Sequence, residues 1–99
     1  MGMQSTSTYL ELLKQYKEIN ADKYGIARIG IFGSVARGMQ AEDSDIDIYI
    51  ESEPQSLFTM SHIKRELQDI LGCRVDIVRL REKMNPRLRE RIEREGVYA

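Results

Sequence analysis

The chain has 99 residues with 15 basic and 16 acidic side chains, a net charge of −1, and 41% hydrophobic residues. That length fits one compact domain and excludes two, because a core of this size already needs most of its apolar side chains buried. The near-neutral balance excludes an overall electrostatic pull toward nucleic acid or a membrane surface, so any effect of charge must be local.

The first predicted element is a helix. Ser5-Thr6-Ser7-Thr8 supplies N-capping side chains, and Leu10, Leu13, Tyr16 and Tyr24 recur at helical spacing until Gly25 stops the pattern. Ile26 to Phe32 is rich in β-branched and apolar residues and reads as a largely buried strand, in which Gly30 permits close backbone approach. Gly33 breaks that strand. Ser34 to Arg37 opens a short helix ended by Gly38, and a polar stretch from Met39 to Ser44 leads into a second strand, Asp45 to Glu51. Successive strand side chains point to opposite sides, so Ile46, Ile48 and Ile50 share one face while Asp45, Asp47 and Tyr49 share the other.

Pro54 and Ser56 introduce a second long helix, whose Leu57, Met60, Ile63, Leu67, Ile70 and Leu71 form an apolar stripe ended by Gly72. Val75 to Leu80 is the third predicted strand. Asp76 is flanked there by Val75 and Ile77, a place where an unpaired charge is costly. Asn85-Pro86 starts a last helix with proline in its first turn, and Leu88, Ile92 and many charged residues carry it to Gly96. Arg87, Arg89, Arg91 and Arg94 interleave with Glu90, Glu93 and Glu95, the pattern of a solvated helix laced by i,i+3 and i,i+4 pairs. Tyr98 reads either as a final strand residue or as a partner contact. The order helix, strand, strand, helix, strand, helix, with no repeat or linker, is that of a single α/β (α+β) domain over residues 1–99.

The single Cys73 cannot form an internal disulfide, and neither a signal peptide nor a long apolar span is evident, so a reducing cytoplasm is the expected setting. Cys73 reads as a small buried hydrophobe. His62 has no His or Cys at ligand spacing, which argues against a metal role.

The residues suited to chemistry lie around the turn at Gly33. Two carboxylates at i and i+2 of a strand, Asp45 and Asp47, point the same way, and a shared cation is the productive relief of their repulsion. Mg²⁺ is a hard ion that takes carboxylate oxygens and completes its shell with water and substrate phosphate. Opposite them, Gly33 allows backbone N–H groups to approach a phosphate and Ser34 adds a hydroxyl donor. Asp76 can add a third carboxylate, and Arg37 or Arg28 can meet the remaining phosphate charge. The bland alternative is a half-exposed strand with its acidic face in water.

The pattern G-S-x₁₀-D-x-D, Gly33-Ser34 through Asp45 and Asp47, resembles the signature of the polymerase β-like nucleotidyltransferase superfamily. "GSVARG" and "SDIDIYIE" are most similar to its minimal prokaryotic branch, the MNT-type proteins paired with HEPN-domain partners. The resemblance covers residues 25 to 80 closely and the last helix loosely. It implies a small mixed sheet flanked by helices. It also implies an antitoxin of a HEPN/MNT toxin–antitoxin pair that uses Mg·ATP to transfer AMP to a tyrosine of the HEPN ribonuclease. By position, Gly33 and Ser34 would hold the triphosphate, and Asp45 and Asp47 would bind two metal ions. Asp76 would complete the site, by strand order and its "VDIV" context. With little surface left for a second substrate, the expected acceptor is another protein. Two other readings stay open: an antitoxin that blocks its partner only by binding, and a transferase acting on an aminoglycoside-like small molecule. Nothing recommends direct nucleic-acid binding, which a basic stripe or an aromatic platform would.

Overall fold

The computed structural model describes residues 6–33 and 45–99. The elements run α1 (Thr6–Tyr24), β1 (Ile26–Phe32), β2 (Ile46–Ser52), α2 (Leu57–Leu71), β3 (Val75–Arg79), α3 (Pro86–Glu95) and β4 (Val97–Tyr98). The strands form one mixed sheet in the order β3-β2-β1-β4. β1 pairs antiparallel with β2 and with β4, whereas β2 and β3 are parallel, which requires the crossover that α2 provides. The short helix expected over Ser34 to Arg37, with Gly38 and the polar stretch to Ser44, lies outside the described residues.

Alternation along the strands sorts the interior into two clusters. Ile29 and Ile31 of β1, Ile46, Ile48 and Ile50 of β2 and Val75 of β3 meet Tyr9, Leu13 and Tyr16 of α1 and Ile63, Leu67 and Leu71 of α2. The opposite face holds a smaller cluster, Phe32 and Tyr49 of the sheet against Ile92 of α3. So α1 and α2 close one side of the sheet and α3 lies on the other. Each isoleucine fully removed from water on the first side contributes about 1.5–3 kcal/mol.

Local signals account for most boundaries. Ser56 caps α2 by accepting from the Thr59 amide at 3.1 Å, and Gly72 ends that helix. The Asn85 side chain accepts from the amides of Arg87 and Leu88, with Pro86 at the first helical position of α3. Between α1 and α2, Glu66 accepts from the hydroxyls of Tyr16 (3.0 Å) and Tyr24 (2.9 Å). Burial first, then that carboxylate, holds the Tyr16 hydroxyl protonated well above its ordinary range. Cys73 is partly buried against the main core, and burial pushes its thiol up, consistent with a packing residue.

Several expectations are corrected. Tyr9, rather than Leu10, is the fully buried residue of the first turns of α1, and Leu10 packs only at the rim. On α2 the buried stripe is the i,i+4 series Ile63, Leu67 and Leu71. Leu57 and Ile70 flank it on either side and stay 86% and 43% exposed. Asp76 is exposed, not enclosed, because it points to the α3 side of β3, opposite the face on which Val75 is buried. Of the two readings of Tyr98 the strand residue holds: Val97 and Tyr98 form a fourth strand against β1, pairing with Ile31 and Gly30. A β-carbon on Gly30 would stand 2.5 Å from the Val97 carbonyl and 2.6 Å from the Tyr49 ring, so glycine is what lets both pack there.

Candidate active site

β1 and β2 pair with Phe32 opposite Asp47, so the residue after Phe32 turns beside the Asp47 carboxylate. That residue is Gly33, with φ of 77°, a left-handed conformation that side chains resist. A β-carbon at Gly33 would also meet Asp47 Oδ2 at 2.5 Å. Backbone conformation and space therefore both demand glycine here.

β2 and β3 run parallel in a register that sets Asp47 opposite Asp76, and paired residues of neighbouring strands point to the same face. Asp45 stands just before β2, where its Oδ1 forms an ion pair with Arg74 Nε at 3.2 Å. The three predicted carboxylates thus gather at one end of the α3 side of the sheet. Among the described residues, no group of three His, Cys, Asp or Glu side chains closes into a finished metal cage. Burial chiefly, then the neighbouring charge of Asp76, holds the Asp47 carboxyl above the usual carboxylate range. Arg91 opposes that rise and Asp45 adds to it.

Arg91 is the site residue that sequence reasoning missed. Its Nη2 lies 3.4 Å from the point a Gly33 β-carbon would occupy, and its Nε donates to Glu95 Oε2 at 3.2 Å. The guanidinium carbon is 5.9 Å from the centre of the Phe32 ring. Nothing in the pattern of α3 distinguishes it, since Arg89–Glu93 and Glu90–Arg94 form i,i+4 pairs of the same kind. Arg28, considered for phosphate charge, sits at the far end of β1. There it pairs with Glu51 at 3.4 Å and lies over the Tyr98 ring. Ser34 and Arg37 lie outside the described residues.

Two carboxylates on one sheet face, beside a backbone turn with no side chain in the way, can hold a hard cation against a phosphate. No helix among the described residues is long and apolar enough to cross a membrane.

Comparison with known proteins bears on the same region. The family model described as "Nucleotidyltransferase domain" matches residues 13–99. The protein adenylyltransferase MntA of Thermococcus cleftensis is 32% identical over 99 residues, covering 99% of both chains. A Methanocaldococcus jannaschii protein, MJ1217, provisionally named a protein adenylyltransferase, is 39% identical over 97% of this chain and 99% of its own. A solved structure provisionally described as a minimal nucleotidyltransferase superposes with a TM-score of 0.69 at 39% identity, over 89% of this chain and 93% of that one. A toxin–antitoxin crystal structure with AMP-PNP shares the fold, with a TM-score of 0.76 at 24% identity over 89% of this chain and 69% of that one. A sheet of this order, a glycine turn facing an aspartate pair and these matches together mean that the chain belongs to the nucleotidyltransferase family and is an enzyme of its minimal type.

Proposed function

We propose that this nucleotidyltransferase is an antitoxin that transfers AMP from Mg·ATP to a tyrosine of a HEPN-type ribonuclease toxin and so silences it, in the cytoplasm and in complex with that partner. The observation that carries the reading is the facing of Asp47 and Asp76 beside Gly33, with Asp45 at the entry to the same strand. The protein adenylyltransferase names of the relatives support a protein acceptor. The toxin–antitoxin structures of the same fold support a toxin as that acceptor.

The donor set fits Mg²⁺: carboxylate oxygens are its preferred ligands, and Asp47, raised chiefly by burial and then by the charge of Asp76, is a carboxylate whose ionised form a divalent cation favours. Asp45, Asp47 and Asp76 would hold it, with two ions in this reading. When bound, Mg²⁺ would neutralise charge on the phosphoryl oxygens and favour the phenolate form of the acceptor tyrosine. The remaining work falls to the chain itself. Gly33 and Ser34 receive the triphosphate, and Arg37 meets its outer charge. Asp76, on its exposed edge, accepts the proton of the tyrosine hydroxyl. That oxygen bonds to the α-phosphorus in line, the bond from the α-phosphorus to the bridging oxygen breaks, and pyrophosphate leaves.

The test is incubation with the toxin partner and Mg·ATP labelled at either the α- or the γ-phosphate. The reading predicts α-label on a toxin tyrosine, no γ-label, and loss of ribonuclease activity. A toxin neutralised without label would point to blocking by binding alone. Label found only on hydroxyl-rich small molecules would point to the small-molecule transferase.

A further inference from the structure

We propose that Arg91 of α3, oriented by Glu95, is a nucleotide-binding residue that takes charge from the β- and γ-phosphates and makes the site select triphosphates over monophosphates. The inference rests on the nucleotide-site reading above and adds to it a residue outside the glycine-serine and aspartate motif.

Three features carry it. The first is position: a β-carbon built on Gly33 would stand 3.4 Å from Arg91 Nη2 and 2.5 Å from Asp47 Oδ2, so the guanidinium lies beside both the glycine turn and the Asp47 carboxylate. An anion that reaches the carboxylate end of the sheet across this glycine therefore meets the guanidinium. The second is preorganisation. The Nε–H of Arg91 is committed to Glu95, whose side chain is only 16% exposed, and the guanidinium lies over Phe32, a buried ring of the smaller cluster. A guanidinium has five N–H donors, so fixing one through a partly buried carboxylate orients the others without using them up. The third is access: the Arg91 side chain is 45% exposed, so a ligand can reach its terminal nitrogens.

A purely structural role explains these facts less well. An i,i+4 helix pair contributes only about 0.3–0.5 kcal/mol, and α3 already carries two other such pairs. Only Arg91 among the three paired arginines of α3 stands at Gly33. Three aspartates gathered at one end of a sheet also repel an anionic substrate, and a cation fixed beside them lowers that barrier.

The test is equilibrium titration of the purified protein with Mg·ATP and with Mg·AMP, without acceptor, beside a thermal melt. Arg91→Met keeps an unbranched stem over Phe32 and is expected to weaken Mg·ATP binding by about tenfold to a hundredfold. Mg·AMP binding and the melting temperature should stay nearly unchanged. Arg91→Lys, which keeps charge without the fork, should fall between wild type and Arg91→Met. Arg89→Met, the same change in a neighbouring pair, should bind both nucleotides as wild type does. Equal losses for ATP and AMP, or undiminished ATP binding by Arg91→Met, would overturn the assignment to Arg91 while leaving the nucleotide site intact. A wild-type protein that binds neither nucleotide would overturn both.

Discussion

The two faces of the sheet are built from alternate residues of the same strands and do opposite things. On one face Ile46, Ile48 and Ile50 are wholly buried beneath α1 and α2. On the other, Asp47 and Tyr49 occupy the intervening positions, and the apolar cluster reduces to Phe32, Tyr49 and Ile92 with a few partly buried neighbours. The closed face supplies most of the stabilising burial. The open face keeps a half-buried carboxylate in a setting that disfavours its charge. The pleat of a single strand thus separates the buried isoleucines from the carboxylate proposed for the chemistry, and a substitution at one position should affect one with little effect on the other.

That separation can be broken hardest from the closed face. Ile48→Ala leaves a cavity between the sheet and its two helices and should cost about 2–5 kcal/mol, lowering the melting temperature by ten degrees or more on the order expected for so small a domain. The residual folded protein should still bind nucleotide, because no site residue is removed. Gly33→Ala comes next. It forces a side chain into a left-handed conformation and against the Asp47 carboxylate, so a loss of about 1–3 kcal/mol is expected in a denaturant titration, together with a marked loss of nucleotide binding.

The smallest effect has the most informative sign. Because Asp47 is held above the ordinary carboxylate range, the folded chain binds its proton more tightly than the unfolded chain does. Its contribution favours the fold at low pH and is lost as pH rises through the ordinary carboxylate range into the raised one. Metal-free Asp47→Asn should therefore melt slightly higher than wild type at neutral pH, and the two should converge in acid. Added Mg²⁺ should stabilise the wild type and leave the variant unmoved. A variant less stable than wild type at neutral pH without metal would mean that the carboxylate serves the fold.

Strong periodicity made the closed face legible. The bounds of β1, the Ile46-Ile48-Ile50 face and the α3 limits at Pro86 and Gly96 follow from alternation, capping and proline placement, and the structure shows them where they were expected. The space at Gly30 was legible for the same reason. Features that depend on neighbours distant in sequence were not. The strand reading of Tyr98 stood open beside a partner contact, because β4 has two residues, too few for any period to decide, and forms where α3 returns the chain to the edge of β1. The exposure of Asp76 depends on which face of the sheet the helices cover rather than on its flanking Val75 and Ile77. At the site, the turn and the carboxylate pair were visible as a motif. Arg91 was hidden among equivalent arginines until α3 was placed on the sheet.

The central claim is that the open face, through Asp45 and Asp47, performs nucleotidyl transfer to a protein partner. It is tested most directly by co-purifying the protein with its toxin, adding Mg·ATP labelled at the α-phosphate, and comparing wild type with Asp45→Asn/Asp47→Asn. The account predicts label on the toxin with wild type and at least about a thousandfold less with a folded double variant, the scale expected when electrostatic stabilisation of phosphoryl transfer is removed. Undiminished label from that variant would contradict it.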